Sequence, residues 1–336
     1  MADSKKTGNR AFKDRRIGLI LFGIFHIVIG TFCALSIPLT IVGIIATAGL
    51  DKSSVPPMTV GQVILVVLLY LLLAFWFVWM GIGSILARRW ARALILITSW
   101  LWLICGMGGF IFTLLFMPDI YGYMAMSGEV PQELAVVVQY IVTVFMAIIL
   151  IIIPGAFVLF YSSKHVKATC ELRDIRVRWT DKAPLSIITL SSIFGTIAIA
   201  MPFLALYRWT MPFFGFILSG IPGAALVLVY MVLSVYAAWG TYRLKIKAWW
   251  CGFLLTIASA VSLGITFSRV NLLDLYEKMN VPKESLEMMK GLGMLKTPAI
   301  DLLFWGIAFI GFLIFLLYTK RYFTAAPQHK RQVKKN

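Results

Sequence analysis

Charge is scarce in this chain. Only 13% of its 336 residues are Asp, Glu, Lys or Arg, and the acids number 14. A soluble domain carries about 25% charged and about 45–50% apolar residues; here 60% are apolar and the mean hydropathy is +0.90. So much apolar surface cannot be buried inside one globule of this size, and the expected solvent is the bilayer. The same figures exclude a disordered, collagen-like or disulfide-framework chain.

Histidine and cysteine are scarce as well. The three histidines are His26, His165 and His329. Zinc takes three or four clustered ligands, and a haem held between intramembrane histidines needs a second one at the depth of His26. His26 is therefore read as a packed side chain hydrogen-bonded within the bundle. Of the four cysteines (Cys33, Cys105, Cys170 and Cys251), no two are spaced C-x-x-C and none lies in an outer loop. Disulfides are not expected, and Cys170 falls in a linker where a reduced thiol is expected. No phosphate-binding glycine loop, nucleophile elbow or H-E-x-x-H signature is present. The reading is no cofactor, no metal, no catalytic residue and no enzyme.

What the chain has in plenty is long apolar runs. A spanning helix needs about 20 mostly apolar residues, because the hydrocarbon is roughly 30 Å thick. Eight segments qualify, at 17–37, 61–86, 93–116, 135–161, 185–206, 222–242, 249–267 and 299–318. The runs are continuous rather than alternating, which predicts helices and not a barrel. The fold class is all-α, a polytopic helical membrane protein of about eight transmembrane helices. Every Lys, Arg, Asp and Glu falls outside the cores of these runs, Asp301 sitting at the outer end of the eighth. Intramembrane charges mark proton relays and ion pathways, so a proton-coupled carrier with a buried carboxylate is disfavoured.

The basic residues are unevenly placed. Of the 31, 24 lie in the N-terminal tail, the second-to-third and sixth-to-seventh turns, the central linker and the C-terminal tail. Excess Lys and Arg mark the cytoplasmic face, which places both termini inside. The net charge of +17 then serves topology and contact with anionic headgroups, and no nucleic-acid partner is expected. The apolar run from Ile17 to Leu50 exceeds the 7–15 residues of a signal h-region, so it reads as a retained first helix.

Four helices, a basic linker and four more helices suggest two tandem units in parallel orientation. The domains expected are a basic tail at 1–16, a four-helix unit at 17–162, a linker at 163–184, a second four-helix unit at 185–318 and a tail at 319–336. Gly81 to Trp90 matches Gly240 to Trp249 at an offset of 159, and Asp119-Ile120-Tyr121 has a counterpart in Asp274-Leu275-Tyr276. Pro38 and Pro202 interrupt the opening helices, each followed by a short apolar stretch, Ile41 to Leu50 and Met211 to Gly220. With Pro222 they are candidate hinges or breaks; helix extensions or interfacial stubs are the favoured reading.

The loop from Arg269 to Pro298 places Leu272, Leu275, Tyr276, Met279 and Met289 at helical spacing, as amphipathic segments on the outer surface. They form a candidate partner surface. Met117, Met124, Met126, Met279, Met288, Met289 and Met294 gather on the same side; with no Cys or His beside them they read as adaptable apolar contacts rather than copper ligands. The linker, SSKHVKATCELRDIRVRWTDKAPL, is expected to lie on headgroups with Trp179 as anchor. Small-residue pairs such as Gly30 with Ala34 and Ala260 with Gly264 signal close helix packing.

These features point to a non-catalytic scaffold or accessory subunit of a membrane complex, placed in the bacterial inner membrane. Its expected partners are the bilayer, with anionic headgroups on the cytoplasmic side, and other membrane-protein subunits. The alternative is a carrier or channel for a neutral or weakly polar solute, its path lined by Gln139, Thr143, Thr189, Ser191 and Ser192.

Overall fold

Apolar runs in lipid have to satisfy their backbone within the segment, and the computed structural model of the chain is accordingly almost wholly helical. It describes residues 13–48, 60–126, 131–281, 283–291 and 298–332. The helices are α1 (Arg16–Ala48), α2 (Val60–Ile85), α3 (Arg89–Met126), α4 (Gln132–Ala147), α5 (Ile153–Ser162), α6 (Lys164–Arg173), α7 (Leu185–Ala200), α8 (Gly220–Tyr242), α9 (Ile246–Arg269), α10 (Leu272–Lys278), α11 (Lys283–Gly291) and α12 (Pro298–Gln332). A π-turn, Ile148–Ile152, joins α4 to α5, and a 3₁₀ segment, Met201–Tyr207, follows α7. Eight spans among the described residues are long and apolar enough to cross a bilayer, the eight predicted. The protein is an integral membrane protein.

The helix ends depart from the expected ones. Pro38 sits inside α1, which runs unbroken to Ala48, with Ser36 donating to the Phe32 carbonyl in the turn before it (2.9 Å). Pro202 instead opens the 3₁₀ segment, which ends at Arg208 and Trp209 with φ of 57° and 58°. The stretch after it is neither a helix extension nor a stub. Met211–Phe213 (β1) and Phe216–Leu218 (β2) pair antiparallel with Phe213 opposite Phe216. Phe214 and Gly215, both at positive φ (43° and 92°), make the two-residue turn that such a hairpin requires. Pro222 lies in the first turn of α8, where a missing N–H costs nothing.

Contacts group the chain into two compact units. One takes residues up to Ile37, Tyr70–Ile111 and Thr143–Lys182; the other takes Pro38–Leu69, Phe112–Val142 and Ala183 onward. The core of the first is built on Leu19, Met80, Ile95, Tyr161 and Val166, all fully buried. Ser84 closes it, donating to the Leu19 carbonyl at 2.8 Å and lying 2.6 Å from the Tyr161 hydroxyl. Gly81 lets α1 and α2 touch: a Cβ there would sit 2.7 Å from the Gly23 carbonyl. Gly106 faces the Leu150 carbonyl of the π-turn so closely that a side chain would displace backbone.

The second unit centres on Ile187, Leu190, Phe194, Ala237, Trp249 and Leu316. The Trp249 indole donates to the Leu316 carbonyl at 3.1 Å, and Ser191 donates to the Ala238 carbonyl at 2.7 Å. Both bonds join neighbouring helices through groups that lipid could not satisfy.

One turn form recurs in the two units. Ala87 (φ 51°) ends α2 and Leu244 (φ 54°) ends α8. Arg88 N–H donates to the Gly83 carbonyl and Lys245 N–H to that of Gly240, each at 2.9 Å, while Ala87 and Leu244 N–H reach Ser84 and Thr241. This is the Schellman closure. Gly83 then faces the Ala91 methyl, and Gly240 faces that of Ala248. The structural match is therefore Gly83 with Gly240, a register of 157 rather than 159. The tryptophans aligned in the sequence are not equivalent: Trp90 stacks on Trp79 at 4.3 Å, whereas Trp249 is buried beneath α12.

Candidate functional site

The densest polar chemistry lies at the linker end of the first unit. It is built by α6, a helix too polar to enter lipid that starts from a Ser163 cap. Just past its last turn the chain drops Asp174 into the fold, 2% exposed. Arg178, four residues on along a non-helical stretch, grips it in a fork: Nε to Oδ2 at 2.9 Å and Nη2 to Oδ1 at 2.9 Å. The α2–α3 turn supplies Arg88 Nη1 at 3.5 Å and the Arg89 backbone N–H at 3.3 Å. Charge-assisted and bidentate bonds are the strong class, and this carboxylate takes donors from two segments. The Arg178 fork, reinforced by Arg89 N–H and Arg88, holds the Asp174 carboxyl below its ordinary value of 3.8.

The surroundings extend the grip. Asp181 accepts from the Arg178 N–H at 2.9 Å and lies 3.8 Å from Arg89 Nη1, while Arg89 Nη2 donates to the Glu171 carbonyl at 3.0 Å. The N-terminal segment is tied down beside them. Arg173 meets Asp14 at 3.1 Å, and the backbone N–H of Arg15 reaches Thr169 at 3.1 Å. The Nε atoms of Arg89 and Arg92 are buried without a hydrogen-bond partner. Cys170, 1% exposed, has its thiol pushed up to about 11, chiefly by burial. A thiol is reactive as thiolate, so this one is inert packing. What the arrangement does chemically is hold: it clamps the linker and the N-terminal segment to the α2–α3 turn.

Sequence reasoning read the linker as a solvated, headgroup-facing strip and missed Asp174. The acid and the arginine stand four apart in the sequence, but the stretch between them is not helical, and no pattern announces that the carboxylate turns inward.

The candidate solute-path residues are placed as follows. Thr189 donates to its own helix at Leu185 (2.8 Å), and Ser191 ties α7 to α8. Ser192 lies on α7, half-buried; Gln139 and Thr143 are half-buried on α4, and both have partners. Of the candidate partner surface, Leu272 and Leu275 are buried against Ile217 of the hairpin, with Tyr276 and Met279 packed around them. That contact leaves Met289, on α11, half-buried. Leu292, Met294 and Leu295 lie outside the described residues, as do the side chains of Met288 and His329. His26 is buried, its Nδ1 2.9 Å from the Phe22 carbonyl and its ring edge-on to Phe157. Among the described residues no three His, Cys, Asp or Glu side chains converge as a metal site would require.

No protein-family model, curated protein or solved structure matches this chain.

Proposed function

We propose that this integral membrane protein is a non-catalytic scaffold or accessory subunit, built from a duplicated four-helix unit, with the linker and both termini on the cytoplasmic side of a bacterial inner membrane. The observation that carries the reading is where its membrane-embedded polar side chains go. Ser84, Ser191 and Trp249 all end on the carbonyls of neighbouring helices. A solute path needs such groups facing a cavity; these three fasten helices together, and Thr31, Ser99, Thr189 and Thr256 turn back onto their own helices. The clamped linker fits the same role, since it presents a fixed shape at the basic face rather than a loose tether. The duplication rests on the repeated turn, with Gly83 and Ala91 answering to Gly240 and Ala248.

The test is purification from the native membrane in mild detergent, followed by identification of chains that co-purify in fixed ratio. A stoichiometric membrane partner is the expected result. Isolation as a lone monomer, stabilised against heat by a particular neutral solute, would overturn the reading in favour of a carrier. Cysteine labelling from either side, at Lys164 and at Lys290, checks the proposed orientation.

A further inference from the structure

The hairpin end of the second unit holds a cup of about 550 Å³ lined by Arg208, Phe216, Asp274, Glu277 and Lys278, with Gly215, Ile217 and Val270 completing its wall. That volume lies within the roughly 300–1,000 Å³ of small-molecule sites. The wall is held in place by bonds of its own. Gly215 N–H donates to Thr266 at 3.0 Å and Phe214 N–H to Ser262 at 2.9 Å, pinning the hairpin to α9. Lys278 Nζ reaches the Ile217 carbonyl at 3.1 Å, and the Arg208 carbonyl accepts from Gly220 at 2.9 Å. Next to the cup, Ile217, Leu272 and Leu275 are buried together as an apolar cluster.

The charges around the rim are not used on one another. Among the described residues, Arg208, Asp274 and Glu277 make no ion pair. Asp274 and Glu277 lie three apart on α10 and so share a face. A cup carrying two cations and two anions that do not neutralise each other is complementary to a ligand bearing both signs. Its depth matters too. The lining begins immediately beyond the end of the α9 span at Arg269 and just before the α8 span at Gly220, the level at which headgroups sit. Phe216, 69% exposed, stands on the hairpin beside it.

We infer that this cup binds a phosphate–primary-ammonium zwitterion, as carried by a phosphoethanolamine lipid headgroup or its soluble counterpart. The phosphate sits against Arg208 and the free donors of Lys278, and the ammonium donates to Asp274 and Glu277. A quaternary ammonium has no N–H to give and is recognised by an aromatic cage; Phe216 is the one aromatic in this lining, so choline headgroups fit poorly. This inference is independent of the scaffold reading.

The test uses the full-length protein in mild detergent, with native mass spectrometry of added phosphatidylethanolamine, phosphatidylcholine or phosphatidylglycerol, and O-phosphoethanolamine as a soluble competitor. Phosphatidylethanolamine should be retained about tenfold better than either other lipid, the discrimination expected of one well-placed charged contact. Arg208→Gln should weaken retention of both phosphatidylethanolamine and phosphatidylglycerol. The double variant D274N/E277Q should weaken only the former. Competition by O-phosphoethanolamine at the lipid's own affinity identifies a soluble ligand; its failure to compete identifies the lipid. Equal retention of the three lipids overturns the inference. So does unchanged phosphatidylethanolamine retention in both variants, provided their lipid-free unfolding midpoints match the parent's.

Discussion

The two units solve the same packing problem with different groups. In the first, α1 and α2 approach through Gly23 and Gly81, backbone against backbone. In the second, at the position that answers to Gly81, the Ala238 carbonyl takes a hydrogen bond from Ser191. Ser84 reaches across to Leu19 and Tyr161, whereas its counterpart Thr241 folds back onto Ala237 in its own helix, and cross-helix bonding passes to Trp249 instead. Lipid offers no hydrophobic drive for helix association, so a seam has to come from close backbone contact or from a polar group with one partner. Either suffices. The first unit adds a third device, the ionic clamp of its linker.

The contrast can be broken most severely at Gly81. Gly81→Leu drives a side chain into the Gly23 carbonyl and should cost about 3 kcal/mol, the upper end for overpacking, read as loss of folded protein in a detergent unfolding titration. Next comes the clamp. Asp174→Asn removes the charge that Arg178 and Arg88 hold and should speed tryptic cleavage after Arg176 and Arg178 about tenfold through local opening, leaving the helices intact. Acid should do the same to the parent. Because the folded Asp174 carboxyl titrates below its ordinary value of 3.8, its contribution is complete above that range and is lost as pH falls through the lowered folded value. Cleavage by an acid-active protease should therefore rise there, and D174N should show no such rise.

Smaller effects compare the hydroxyls. Ser84→Ala strands the buried Tyr161 hydroxyl and should cost about 1–2 kcal/mol. Ser191→Ala loses one interhelical bond and should cost only about 0.6 kcal/mol, the average for such bonds in membrane proteins. Equal losses at the two sites, measured by the same titration, would show that the seams do not differ.

Legibility followed length. Each spanning run was readable because some 20 apolar residues have no other solution in a bilayer. The β-hairpin was not: strands of three residues, Met211–Phe213 and Phe216–Leu218, are too short to show alternation. Only Gly215 hinted at positive φ, and Phe214 shares that conformation. The repeat was visible as element order, yet the sequence lined up Gly81 with Gly240 through Trp90 and Trp249, whereas the shared turn form lines up Gly83 with Gly240. Which glycine must lie beneath an αL turn is a matter of geometry, and geometry chose Gly83. Among the candidate site residues, Ser191 could be placed in a helix but not on a face, so its bond to Ala238 was beyond reach.

From residue chemistry alone came the solvent, the eight crossings and the scarcity of charge in their cores, because desolvation in hydrocarbon is steep enough to dictate each of these locally. The inward turn of Asp174, the hairpin pinned to Ser262 and Thr266, and the cup rimmed by unpaired charges depend on segments far apart in the chain meeting at one point. Such meetings are decided by complementary shape and by the last few hydrogen bonds, and tertiary structure alone holds that information.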